Sequence, residues 1–418
     1  MPLPKMMLVR QSFEAPLVED IPLTVREELA GLDLASKIKP GETVAVTVGS
    51  RGIRNLPLIV RSLIRELKSL GAEPFVVPAM GSHGGGTAQG QRAIVEGYGV
   101  TEDYIGAPIR ATMEVVLVGR TEDGIPVYFD KYAYEADHVA VVNRVKPHTS
   151  FTGEIESGLH KMMLIGLGKH KGARLYHQAI VNHSFGRIID TVARTVIEKC
   201  GILLGLAVVE NQNDRTALIR GVAPEEFAAR EKELFVKARQ WLPRLPFDKA
   251  DLLIVDKIGK NFSGTGLDTN VVGRKFNNHR AVEDEYPKIT RIFTRDLSDE
   301  SHGNATGLGI GEYTHKRLVD KVDWEVTYTN CLTGNHPSAA SVPLHYDTDR
   351  KVIETALTTV GLVEPVRARI LRIRNTLDLA ELLVSEAYLE EVEERKDLTV
   401  AGPLEEMAFD GRGDLPGF

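Results

Sequence analysis

At 418 residues the chain exceeds the ~250 to 300 residues beyond which a single core seldom grows, so two domains are expected. A hydrophobic content of 43% with 26% charged residues is that of an ordinary globular protein and excludes a disordered or fibrous chain. A net charge of −7 without any long basic block lacks the electrostatic footprint of a nucleic-acid or anionic-membrane binder, and a small-molecule ligand is expected instead.

The opening stretch MPLPKMMLVRQSFEAP is broken by prolines and charges before any apolar run reaches signal-peptide length. Nothing downstream approaches the ~20 apolar residues of a membrane span, so a cytoplasmic location is expected. In chain order, ETVAVTVGS reads as a buried strand running into a loop, and NLPLIVRSLIRELKSLG as a helix. Pro57 sits at a first helical position, Ile59, Leu63, Leu67 and Leu70 recur at helical spacing, and Gly71 ends the run. AEPFVVPAM is a second strand, which makes residues 43–80 a β-α-β unit with parallel strands. A further helix is expected from Thr87 through Val95, with strands at GIPVYFD and DHVAVVN. Such alternation implies a mainly parallel sheet covered on both faces, with ligands beyond the carboxyl ends of its strands.

The charged amphipathic helix in PEEFAAREKELFVKARQW gives way to a proline-interrupted linker and the fresh strand DLLIVDKIG. This predicts an amino-terminal domain over 1–245, a carboxy-terminal domain over 246–395 and a tail over 396–418. The second domain continues with a helix from Asp349 to Val360, a strand in VRARILRIR and a helix through LDLAELLVSEAYLEEVEE. The fold class read from this pattern is α/β: two α/β domains with mainly parallel sheets and an active-site cleft between them.

The first strand ends in GSRGIRN and the second in AMGSHGGGTAQGQ. Parallel strands of one sheet deliver these loops to the same edge, which brings Arg51, Arg54 and His83 within reach of one site. The glycines after His83 let backbone N–H groups approach an anion, although no GK[ST] follows to make a Walker loop. A third loop, VVNRVKPHTSFTGEIESGLHKMMLIGLGKHKGARLYHQAIVNHS, holds His148, His160, His170, His177 and His183 with Lys161, Lys169 and Lys171. Neutral imidazole suits nickel, copper, zinc or iron, and paired histidines suit proton transfer near neutral pH. His160, His170 and His183 are the first read as merely capping, packing or facing solvent. Only Cys200 and Cys331 occur, far apart, so neither a disulfide framework nor a thiolate zinc site is signalled. Any metal must rely on histidine, carboxylate or a cofactor.

SRGIRN, MGSHGG, VKPHTSFTG, SGLHKMMLIGLG and LYHQ together resemble, in order and spacing, the nickel-pincer lactate racemase family, most strongly over residues 43–185. The resemblance implies a catalytic pair, His83 and His148, a lysine bonded to the cofactor, Lys161, and a nickel ligand, His177. It implies nickel held by pyridinium-3,5-bisthiocarboxylic acid mononucleotide, whose phosphate Arg51, Ser82, Gly84 and Gly85 would hold. The implied reaction inverts C2 of a 2-hydroxy acid through hydride transfer, with two histidines alternating as acid and base. Cofactor-biosynthesis proteins are its implied partners.

In the second domain KIGKNFSGTGLDTNVVGRK offers Lys257, Lys260, Arg274 and Lys275 to a substrate carboxylate. Arg274 or Lys275 is the nearest match to the family's carboxylate-binding lysine, with Arg54 a further substrate contact. The chain departs from the family where Gly-Ser-Arg-Gly replaces an Asp-x-x-Arg-Pro pattern, which leaves lactate, malate, aryl-lactates and sugar acids all open as substrates. Two rival classes are a histidine-metal hydrolase or lyase, active in simple divalent salt, and a non-catalytic nucleotide or metal-cofactor binder, indifferent to replacement of His83 or His148.

Overall fold

A computed structural model describes residues 1–49 and 52–418, so Arg51 lies outside the described residues. Two compact units divide the chain. Ala15–Leu242 forms one, and Met1–Glu14 joins Pro243–Phe418 in the other. The first strand, β1 (Met6–Gln11), therefore belongs to the carboxy-terminal unit, to which it is tied by the pairings given below.

The amino-terminal unit contains β2 (Thr43–Val48), β3 (Glu73–Pro78), β4 (Val115–Arg120), β5 (Pro126–Asp130), β6 (His138–Arg144), β7 (Ile202–Glu210) and β8 (Thr216–Val222). Its main sheet has the order β3-β2-β6-β7-β8, parallel except for β8 at the edge. Val44, Val46 and Val48 pack against Ile59, Leu63 and Leu67 of the helix Leu56–Ser69. Ala45, Val77, Val139 and Val141 face the opposite way, towards Ile188, Val192 and Val196 of the helix Phe185–Lys199. Coverage of both faces explains why β2 is apolar almost without interruption. Full burial of each such side chain contributes about 1.5–3 kcal/mol.

GIPVYFD forms β5, but outside the main sheet: β5 pairs antiparallel with β4 in a two-stranded ribbon. The turn Thr121–Gly124 explains this. Gly124 adopts a left-handed φ of 78°, and Thr121 N–H returns to the Ile125 carbonyl, so the chain reverses at once without the long crossover a parallel neighbour needs.

The carboxy-terminal unit adds β9 (Lys249–Ile258), β10 (Lys288–Leu297), β11 (Tyr313–His315), β12 (Leu344–Tyr346), β13 (Ile370–Ile373), β14 (Glu381–Ser385) and β15 (Leu398–Val400). Their order is β12-β11-β10-β9-β13-β14-β1-β15, parallel as far as β13 and antiparallel beyond it. The helix expected from Asp349 ends at Leu357. The helix expected through LDLAELLVSEAYLEEVEE is corrected: ELLVS is β14, with Leu382 and Val384 buried, and only Leu389–Glu393 is α-helical. Partners on both sides, β13 and β1, override the helical spacing of its leucines.

Residues 396–418 lie within this unit. Leu415 N–H donates to Asp349 (2.9 Å), Arg295 donates to the Leu415 carbonyl (2.8 Å), and Arg372 to that of Pro416 (2.5 Å). His315, Asp349 and Asp414 approach one another as metal ligands would. Arg295 and Arg317 each reach Asp349 at 2.6 Å, however, so these carboxylates already have cationic partners and the group is an ion-pair clamp on the tail. Among the described residues no helix is long and apolar enough to cross a membrane.

Candidate functional site

β6 delivers the chain into the loop that carries His148. There the His148 N–H donates to Glu156 Oε2 (2.8 Å), while Nδ1 accepts from the amides of Ser150 (3.0 Å) and Phe151 (3.1 Å). The imidazole stacks on Phe151 with centroids 4.2 Å apart and planes 9° from parallel. Phe151, itself 7% exposed, is the hub of the site. His177 lies 5.7 Å from its ring centre, Phe185 4.0 Å, and Lys161 Nζ 5.6 Å. Four residues separated by up to 37 positions in the chain thus surround one aromatic ring.

Lys161 closes the short helical turn Leu159–Lys161, which widens into a π-helical turn over Met162–Gly166. Single π turns inside helices recur at functional sites. Glycine is needed here, since a Cβ at Gly166 would come within 2.8 Å of the Ala79 carbonyl oxygen at the end of β3. His177 occupies the last turn of the helix Lys169–Ala179. Burial first, and then the charge of Lys161, hold its proton affinity down to about 4, so the imidazole is neutral and its lone pair available.

His83 is exposed, in the loop after β3. Gly84, Gly85 and Gly86 all adopt left-handed φ, at 66°, 65° and 64°. A buried relay fixes this loop. Gln91 Nε2 donates to the carbonyls of Gly81 (2.9 Å) and His83 (3.3 Å), and its Oε1 accepts from Lys169 Nζ (3.1 Å). Lys169, fully buried with a left-handed φ of 54°, also reaches the Pro78 carbonyl and Asp130 Oδ2, the latter at 3.0 Å. Burial lowers the lysine's proton affinity and raises the aspartate's, and each charge opposes the shift of the other. Gly81 N–H meets the Gly166 carbonyl at 3.3 Å, which joins the His83 loop to the π turn beside Lys161. Ser82 is half-buried and Gly85 borders open space. Arg54 is exposed at the same edge, with its N–H on Glu210 (2.5 Å) and its carbonyl accepting from Thr216 (3.1 Å).

Residues 12–187, which contain all of these groups but Glu210 and Thr216, match the family model described as the lactate racemase N-terminal domain. Residues 12–187 are thus lactate racemase-like. Its fold is similar to that of the lactate racemase apoprotein from Thermoanaerobacterium thermosaccharolyticum, at 13% identity and a TM-score of 0.51, over 88% of this chain and 94% of that one. A protein from Thermotoga maritima aligns at 14% identity with a TM-score of 0.49, over 83% of this chain and 93% of that one. A search of the curated proteins found no match.

In the carboxy-terminal unit, beyond the matched residues, Arg274 departs from its expected part in binding a carboxylate. It is fully buried, and its Nη1 donates to Glu312 Oε1 (2.6 Å) and the carbonyls of Ile310 (2.8 Å) and Asn278 (3.0 Å). With Nη2 on the Ile289 carbonyl (3.1 Å), Arg274 is a strut. Lys275 is half-buried, with its backbone N–H on Glu285 (2.6 Å). Lys257 is exposed on β9, and Lys260 Nζ binds Asn330 Oδ1 (2.7 Å).

Sequence reasoning missed Phe151, Gln91, Lys169, Asp130 and Glu156. One signal was present: Phe151 stands three residues after His148, a spacing at which a turn brings two rings together. Of the histidines read as structural, His160 is buried with Nδ1 2.6 Å from Glu231, and His170 is exposed.

Proposed function

We propose that the chain is a racemase or epimerase that inverts C2 of a 2-hydroxy acid, working with a nickel-pincer nucleotide held at Lys161 and His177. The observation that carries this reading is the gathering of His148, Lys161 and His177 around Phe151. The donor chemistry supports it as well. A metal gripped mainly by its own cofactor needs only one protein imidazole, and His177 stays neutral far below physiological pH.

Lys161 would be the point of covalent attachment and His177 the nickel ligand, with Arg51, Ser82, Gly84 and Gly85 around the phosphate. When bound, the cofactor supplies the acceptor and donor of hydride. His83 and His148 handle the proton of the C2 hydroxyl, for which imidazole's unperturbed pKa of ~6.5 is suited. Arg54 and Lys275 are the cations proposed for the substrate carboxylate, and Phe151 keeps water from the imidazoles it covers.

Intact-protein mass spectrometry with metal analysis tests this on protein made in a host able to build the cofactor. A mass increase mapped to Lys161 together with bound nickel is expected. Lys161→Ala should lose the adduct, and His177→Ala should keep it while losing nickel. Protein from that host with neither adduct nor nickel would overturn the reading. With substrate deuterated at C2, retention of deuterium in product is expected, whereas washout to solvent would mean carbanion chemistry.

A further inference from the structure

One of the two catalytic histidines of the proposed reaction, His148, is held at its ring. His148 Nδ1 receives two backbone N–H groups, those of Ser150 at 3.0 Å and Phe151 at 3.1 Å. A ring nitrogen that accepts hydrogen bonds carries no proton, so in the neutral imidazole the proton sits on Nε2. Two further contacts oppose rotation of the ring. Glu156 anchors the His148 amide at 2.8 Å, and the imidazole face lies on Phe151. Flipping the ring would set a carbon against two amides and leave both without this acceptor. His83 sits on an exposed loop ahead of three glycines, and its carbonyl accepts from Gln91 Nε2 at 3.3 Å.

We infer that His148 is locked as the Nε2–H tautomer and meets the C2 oxygen of the substrate as a hydrogen-bond donor, which leaves His83 as the resting base. This rests on the proposed reading of the site. In the direction that begins with His83, the hydroxyl proton passes to His83, and His148 donates an N–H bond to the same oxygen without making or breaking a bond to hydrogen. For His148 to take the proton in the opposite direction, the turn Pro147–Phe151 has to release Nδ1 first. Taking a proton at His148 therefore requires a conformational step that donating its N–H does not.

Imidazole ¹⁵N–¹H correlation spectra of the full chain, labelled at histidine and free of cofactor, test the tautomer at neutral pH. His148 is assigned by the signal that disappears in His148→Gln, or in His148→Asn, whose Oδ1 can accept from the same amides and so preserve the turn. The expected pattern is an unprotonated Nδ1 and an Nε2 coupled to its own proton, with slow solvent exchange of the Ser150 and Phe151 amides. A protonated Nδ1, whether as the other tautomer or as imidazolium, overturns the inference, as does a pair of averaged nitrogen shifts. Because no cofactor is involved, this result and the mass and nickel measurement can fail independently.

Discussion

His177 shows how burial sets chemistry at a single residue. In the unfolded chain its imidazole takes a proton near pH ~6.5, in the folded metal-free protein only near 4. Between those values the unfolded state binds more protons, so stability is complete above about pH 6.5. It declines as pH falls towards 4 and levels off below, by at most about 3.5 kcal/mol at ~1.4 kcal/mol per pKa unit. Thermal melts of metal-free protein across that window should show the decline, and His177→Gln, which cannot charge, should show less of it. Equal slopes would remove this assignment. Lys169 makes a second case, since its ammonium donates to Pro78 and Gln91 and forms a buried ion pair with Asp130. Lys169→Met leaves a buried carboxylate without its cation and should cost about 3–5 kcal/mol. Adding Asp130→Asn should restore part of that loss, and a denaturation cycle over the four proteins measures it. The sequence singled out His83, His148, Lys161 and His177 because imidazoles and a lysine between glycine-rich turns are unusual, and of these His148, Lys161 and His177 meet at Phe151. Lys169 and Phe151 were not legible, because a lysine in a polar run reads as solvated and an aromatic as core until burial and partners are known.

Among the elements, the β-α-β unit could be read directly, because apolar alternation in ETVAVTV, a 3.6-residue stripe in the helix and proline and glycine at its ends all agree. The glycine loop after β3 was legible as a loop, but the distinct jobs of its glycines were not. A Cβ at Gly84 would lie 2.6 Å from the Gln91 amide nitrogen, whereas one at Gly85 meets nothing within 4 Å, although both residues are left-handed. Gly85→Ala should therefore cost only the conformational penalty of about 1–2 kcal/mol. Gly84→Ala should cost clearly more, since it pushes against backbone at the start of the helix Ala88–Gly97, and it should disturb the Gln91 bonds to Gly81 and His83. Melting temperatures of the two variants decide between these outcomes, and equal losses would mean that φ alone selects glycine in this loop. The ELLVS strand escaped sequence reading for a related reason. Its conformation is dictated by strands drawn from positions 6–11 and 370–373, which no local window contains.

At the scale of the whole molecule, the chain's opening residues are spent on its far end. β1 runs between β14 and β15, pairing Met6 with Ser385 and Val9 with both Leu382 and Val400. Met7 and Val9 are buried in the same cluster as Leu253, Leu371 and Leu382. Removing residues 1–11 therefore withdraws an interior strand from the eight-stranded sheet and exposes two unpaired edges, a change that favours aggregation. The sheet β3-β2-β6-β7-β8 draws no strand from that segment and should keep its structure. Hydrogen exchange resolved by peptide should accordingly show protection lost across β14, β15 and β13 of the truncated protein while β2, β6 and β7 stay protected. If the residues around Phe151 exchange no faster than in the full chain, the histidine–lysine cluster is a property of the Ala15–Leu242 unit alone. Loss of protection throughout both units would show instead that the two fold as one cooperative body and that the site depends on the whole chain.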